Sequence, residues 1–315
     1  PQFGSSSAGS GAYLALPYYL NLAPHYDATL TPQYIQGRGL FTEVEGRYLS
    51  RYGESVLQLG YIDNDSAFRD ENPGENGERW TLDFTTRAAF GGGWSGYGDY
   101  SVISDEDYLS DLNRSLEIDQ ATHLQRRGGV RYYGANQYFE AYLNGYQTIP
   151  DRIADVDKPY AQLPEVIYGG SLEAGWLEAS LESQYTWFYR DNENLTGLDK
   201  ANGQRLRTIP ELALPMRALW GFSRPSVSLD YTRYELDDYT LGDAGFDRTV
   251  PVFEWDNGLY FDRRSSLFDV PYNQTLEPRL YYAWADAESD QNHIPDFDTG
   301  IRSFRFDQLF RRDRF

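Results

Sequence analysis

Apolar and polar residues alternate with a period of two along most of this 315-residue chain. That is the spacing of β-strands whose two faces meet different surroundings. The clearest run sets Trp80, Leu82, Phe84, Thr86, Ala88 and Phe90 against Thr81, Asp83, Thr85, Arg87 and Ala89. Aromatic side chains bracket its apolar face at both ends. Lipid-facing strands collect aromatics at their two interfaces, whereas a soluble sandwich holds them centrally at least as often. From Leu177 the same period sets Leu177, Ala179, Leu181, Ser183, Tyr185, Trp187 and Tyr189 against Glu178, Ser180, Glu182, Gln184, Thr186 and Arg190. Carboxylates and guanidinium groups are seldom buried without partners, so this polar face fits a wet lumen better than a dry core.

Further strands follow at 40–50, 55–62, 94–104, 120–133, 137–148, 164–173, 205–214, 226–234, 250–261 and 274–285. In the last, Leu276, Pro278, Leu280, Tyr282 and Trp284 oppose Thr275, Glu277, Arg279 and Tyr281. With the opening hairpin this makes about 14 strands of the length that a tilted membrane strand needs. No helix-period segment interrupts them. Short connections such as Gly91-Gly92-Gly93 and Gly134-Ala135-Asn136 alternate with long acidic ones at 64–77, 105–119, 149–163, 190–203, 235–249 and 286–300. The expected fold is therefore all-β, a transmembrane antiparallel barrel. Long loops usually face outward, yet strand counting puts 64–77 at the end where the first strand begins, so sidedness stays open.

The opening hairpin, 12–37, carries one proline inside each of its strands, Pro17 and Pro32. Each removes a ladder donor and fixes φ. Two readings stand: the prolines blunt a sheet edge against aggregation, or they weaken a seam meant to part. Residues 1–11 are small and polar and read as a lead-in loop.

Composition narrows the class. No window of 18 apolar residues exists, which excludes a transmembrane helix but not barrel strands. A formal charge of −20 argues against nucleic acid as a partner. There is no cysteine, so no disulfide framework. The start lacks Met, a charged n-region and an apolar h-region, as expected of a processed or excised piece. His25, His123 and His293 pair with no nucleophile or ligand spacing, so neither an enzyme nor a metal or cofactor site is expected. Asp286, Glu288, Asp290, Asp296 and Asp298 lack calcium-loop spacing and read as solvated charge.

Several phrases resemble the LptD family of outer-membrane lipopolysaccharide-assembly proteins, in the first part of its barrel. They are Leu-Pro-Tyr-Tyr-Leu-Asn-Leu-Ala-Pro at 16–24, Asp-Ala-Thr-Leu-Thr-Pro-Gln-Tyr at 27–34, and Arg-Gly-Leu with Glu-Gly-Arg-Tyr-Leu-Ser within 38–50. Later come Val-Ile-Ser-Asp-Glu-Asp-Tyr-Leu-Ser-Asp-Leu at 102–112, Gln-Thr-Leu-Glu-Pro-Arg at 274–279 and Asp-Gln-Leu-Phe-Arg-Arg-Asp-Arg-Phe at 307–315, in family order.

The resemblance implies a barrel of about 26 strands, near the top of the single-chain range. Residues 1–315 would be its N-terminal half, with a lead-in at 1–11, strands over 12–285 and a truncated end at 286–315. It implies lipopolysaccharide transport and assembly at the Gram-negative outer membrane, without catalysis. Pro17 and Pro32 would weaken a lateral gate, and Arg87, Glu178, Glu182 and Arg279 would face the lumen. Implied partners are lipopolysaccharide, outer-membrane lipid, the plug lipoprotein LptE, and a periplasmic transport bridge reached through an N-terminal domain absent here. A general porin or gated nutrient channel shares the composition but has no need of two prolines at one seam. A purely structural or adhesive barrel would keep that seam fully paired.

Overall fold

Antiparallel β-sheet makes up nearly all of the structure, a computed structural model that describes residues 1–6, 11–112, 122–149, 153–240, 242–286 and 293–298. Two units separate within it, Pro1–Tyr132 with Glu140–Pro164, and Tyr133–Phe139 with Glu165–Phe315. The first holds β1 (Gln2–Ser6), β2 (Gly11–Ala15), β3 (Tyr18–Ala23), β4 (Tyr26–Ile35), β5 (Gly39–Ser50) and β6 (Gly53–Ile62). It continues with α1 (Ser66–Glu71), β7 (Arg79–Gly91), β8 (Trp94–Ile103), α2 (Tyr108–Leu112) and most of β9 (His123–Tyr133) and β10 (Gln137–Thr148). From β4 to β9 each strand pairs antiparallel with the next.

The second unit holds most of β11 (Ala161–Ala174), then β12 (Leu177–Tyr189), β13 (Asn202–Ala213), β14 (Met216–Ala218), β15 (Gly221–Asp237) and β16 (Gly245–Leu259). After them come β17 (Phe261–Leu267), β18 (Val270–Leu276) and β19 (Arg279–Ala285). Here β12 pairs with β13, β13 with β15, β15 with β16 and β16 with β19, all antiparallel. The two strands β17 and β18 form a separate hairpin turned at Phe268 and Asp269, both with positive φ.

Burial is inverted relative to a water-soluble sheet. Leu57, Leu59, Trp80, Phe90, Leu181, Trp187, Leu280 and Trp284 are exposed. The opposite faces bury Gln33, Asn144, Glu165, Thr186, Arg205 and Thr232. Strands of this length, apolar outside and hydrogen-bonded on the polar side, are those of an outer-membrane barrel wall. No described helix is long and apolar enough to cross a membrane.

Several expectations need correction. Nineteen strands occur among the described residues, not about 14. Gln2–Ser6, expected as loop, pairs with β2 from Gln2↔Ala15 to Ser6↔Gly11. Its pairing rests on backbone bonds and a close approach, since a Cβ on Gly4 would stand 2.8 Å from the Tyr13 ring. Pro17 does not lie inside a strand but separates β2 from β3, and Glu277-Pro278 likewise separates β18 from β19. The connections at 64–77 and 105–119 contain α1 and α2, whose six and five residues are too short for helical periodicity to register. The 235–249 connection contracts because β15 runs to Asp237 and β16 starts at Gly245. The 307–315 phrase, Glu288 and Asp290 lie outside the described residues.

Candidate functional site

Strand order brings the two prolines to one break. Tyr13↔Ile35, Leu14↔Tyr34 and Ala15↔Gln33 pair on one side of it, and Tyr18↔Leu30, Tyr19↔Thr29 and Leu20↔Ala28 on the other. The same register sets Leu16 opposite Pro32 and Pro17 opposite Thr31. The Leu16 amide donates to the Pro32 carbonyl at 3.0 Å. Residues opposed in this way exchange two bonds in an ordinary antiparallel ladder. Proline has no N–H, so this pair has one. Alternation along the strand turns Pro17's missing donor away from β4, toward the opposite edge. The break therefore loses a donor on each edge, each loss worth about 1 kcal/mol.

A buried cap fixes one end of that hairpin. Gly37, with φ of 81°, turns the chain so that Arg38 points inward and is buried. Arg38 Nη1 reaches Asp65 Oδ2 at 2.8 Å and Asp111 Oδ2 at 3.1 Å. Arg79, at the start of β7, meets the same two carboxylates at 2.9 and 2.8 Å and forks onto Asp105 at 2.9 and 2.6 Å. Asp65 also caps α1 by accepting from Phe68 N at 3.1 Å. The Arg79 guanidinium lies over the Phe68 ring at 4.3 Å and over the Tyr108 ring at 5.7 Å from the centroid. Around these charges pack Ile35, Phe41, Ile62, Ile103, Tyr108, Leu109 and Ile149, with Tyr13 against them. Gly60 makes room for α2: a Cβ there would stand 2.6 Å from the Tyr108 hydroxyl and 2.8 Å from Phe41.

The electrostatics of the cap are compensated rather than relaxed. Burial pushes the Asp65 carboxyl up, but the Phe68 amide, Arg38 and Arg79 together hold it below the ordinary carboxylate range. Burial, and then the charges of Asp111, Glu106 and Asp105, push Asp107 up. Burial alone dominates the upward shift of the Tyr108 hydroxyl. Because Arg38 bonds to Asp65 and Asp111, the 63–78 and 104–112 connections share one end of the first unit with the 36–38 turn. Counted from β2, whose Ala12 carbonyl accepts from the Gln36 amide, these connections lie at the end where that strand begins, with Pro24-His25, Arg51-Tyr52 and Gly92-Gly93 at the other end.

The four polar residues singled out in the sequence each lie on the face opposite their strand's exposed apolar row. Arg87 Nη2 donates to both carboxylate oxygens of Asp99, at 2.7 and 2.9 Å. Glu178 shares Arg224 with Glu211, at 3.3 and 2.7 Å. Arg279 forks onto Asp256 at 2.7 and 2.6 Å, and Glu182 is exposed. Asp298, expected as solvated charge, is exposed and also grips the largely buried Arg205. Sequence reasoning missed Arg38, Asp65, Arg79, Asp105, Asp111 and Arg205. The signal was present for four of them: Arg38 opens the Arg-Gly-Leu phrase, Asp105 and Asp111 lie in 102–112, and Arg79 stands immediately before the cleanest alternating run.

The family model described as LptD, LPS transport system D, matches residues 77–315. The chain is 98% identical over all of its length to the LPS-assembly protein LptD of Marinobacter nauticus. It is 47% identical to that of Hahella chejuensis and 34% identical to that of Pseudomonas aeruginosa, again over the whole chain. It spans 40%, 40% and 37% of those three relatives.

Proposed function

The chain belongs to the LptD family of LPS-assembly proteins, and on that premise we propose that it forms the first part of an outer-membrane barrel that moves lipopolysaccharide into the outer leaflet. The observation that carries this reading is the single-bond Leu16–Pro32 pair at the break between β2 and β3. A seam bordered by that break can part without unfolding its neighbours, because the cap holds β4 and the β4–β5 turn at one end. Pro17 and Pro32 thereby serve as a lateral gate. Acyl chains leave through it into lipid while sugar and phosphate groups stay on the polar side.

On this reading Arg87, Glu178, Glu182 and Arg279 face the lumen, where half-compensated charge keeps water and polar headgroups in place. The work is translocation, not bond chemistry. The plug lipoprotein LptE fills the lumen of the whole protein, and a periplasmic bridge delivers substrate through a domain outside residues 1–315.

The test is site-specific photocrosslinking in the full-length protein, with the probe placed along residues 12–20 and, as control, along 177–187. Lipopolysaccharide adducts confined to the first set support the gate. Equal labelling of both sets, or none at the seam, reduces the prolines to edge blunting and favours a general channel.

A further inference from the structure

Residues 293–298, after β19, lie on the polar face of their own unit. In the described stretch 293–298, Asp298 meets Arg205 through both carboxylate oxygens, at 2.6 and 2.7 Å. Phe297 lies flat on Phe188, with centroids 4.4 Å apart and planes 3° apart. The His293 carbonyl accepts from the Tyr239 hydroxyl at 2.9 Å. One ion pair, one ring stack and one hydrogen bond thus fasten the segment.

The floor beneath is poorly matched to this cover. Thr186, directly opposite Arg205 in the β12–β13 register, is fully buried and its hydroxyl has no hydrogen-bond partner. Arg205 Nε and Glu165 Oε2 are likewise buried and unpartnered. A buried polar atom left without a partner is unfavourable when dry. The bidentate hold on Arg205 is, moreover, the geometry with which a guanidinium takes a phosphate.

We infer that Arg205, with the Thr186 hydroxyl beside it, is a binding site for a phosphate group, and that Asp298 occupies it until the 293–298 segment lifts. The nearby Glu165 carboxylate opposes an anion and limits affinity, as a transit site requires, since a passing ligand must also leave. The site itself stands on the geometry; only its supply by a phosphate-bearing glycolipid rests on the proposed function.

The test measures binding to the full-length protein in detergent, using pyrophosphate, phosphorylated lipid A and dephosphorylated lipid A as probes. Asp298→Asn removes the internal competitor, and Phe297→Ala loosens the segment while keeping both charges, which guards against a folding defect in either one. Each is expected to tighten binding of phosphorylated lipid A about tenfold, the equivalent of about 1.4 kcal/mol. Dephosphorylated lipid A is expected to bind unchanged, and adding Arg205→Gln to abolish the gain. Tightening of lipid A alone assigns a lipid-borne phosphate; tightening of pyrophosphate as well assigns a general phosphate site. No gain with either phosphate probe, or an equal gain with dephosphorylated lipid A, overturns the inference. Crosslinking at residues 12–20 reads the transport proposal separately, so the two can fail independently.

Discussion

Leu16 donates its amide to the Pro32 carbonyl at 3.0 Å and receives no bond in return. Replacing Pro32 with alanine supplies the missing donor to Leu16, whereas Pro17→Ala supplies one to the opposite edge. Native-state hydrogen exchange of the Leu16 amide in the full-length protein should therefore slow about fivefold in Pro32→Ala, the effect of about 1 kcal/mol, and stay unchanged in Pro17→Ala. Equal slowing in both variants would show that proline acts here through backbone stiffness and not through the lost donor.

The cap should loosen in acid. Asp65 has its folded-state value held below the unfolded one, so its contribution to stability is complete above the unfolded value, about pH 4, and is lost as pH falls through the depressed value. Exchange of the Phe68 amide, which donates to Asp65, is expected to accelerate below about pH 4 beyond its intrinsic rate. Asp65→Ala should bring part of that loosening to neutral pH, at a cost of about 1.5–3 kcal/mol, because it takes one carboxylate from Arg38, which keeps Asp111, and from Arg79, which keeps Asp105 and Asp111. An unchanged Phe68 amide in that variant would remove Asp65 from the centre of the cap.

Asp107 should behave in the opposite sense. Burial and three neighbouring carboxylates raise its value. An acid with a raised folded value weakens the folded state above that value, and the penalty is relieved as pH falls through it. Asp107→Asn should then raise the melting temperature at pH 7 and lose that advantage in acid. A variant less stable than the parent at pH 7 would mean that the Asp107 charge is needed by the cap.

Gly60 is expected to be irreplaceable at the face that receives α2. A valine there would drive its Cβ into Tyr108 and Phe41, and overpacking of this kind costs about 1–3 kcal/mol. Limited proteolysis within 104–112 should become faster in Gly60→Val while cleavage elsewhere is unchanged. The companion change Tyr108→Ala should restore part of the resistance by vacating the space; no rescue would mean that β6, and not α2, yields.

These residues also mark what the sequence made legible. Period-two alternation located the walls because lipid and water impose opposite demands on successive side chains, and the structure sets Arg87 and Glu178 opposite their strands' apolar rows. Alternation also found both prolines. It could not find that Pro17 ends β2, because a proline's effect depends on which edge its missing donor faces, which is a property of register. The cap escaped for a different reason. Arg38, Asp65, Arg79, Asp105 and Asp111 span 73 positions and come together only when four strands align, and acidic loops read as solvated until their cations are known. Asp298 is exposed, as its sequence suggested, but its hold on Arg205, 93 positions away, escaped on the same grounds.

Arg87 separates a stabilising role from a transport role. Its side chain is 56% exposed and that of its partner Asp99 36% exposed, so water screens the pair and its contribution to stability stays below about 1 kcal/mol. Arg87→Gln should therefore leave the unfolding temperature of the full-length protein within about 2 °C of the parent, given how little a fraction of a kcal/mol moves the midpoint of a large domain. If the polar face carries lipopolysaccharide headgroups, the same substitution should still lower the yield of crosslinked lipopolysaccharide at residues 12–20. The deficit should shrink as salt is raised, because ions screen the guanidinium in the parent as well. A large loss of thermal stability would instead make Arg87 a structural strut. Unchanged crosslinking at low salt would take it off the path of the ligand.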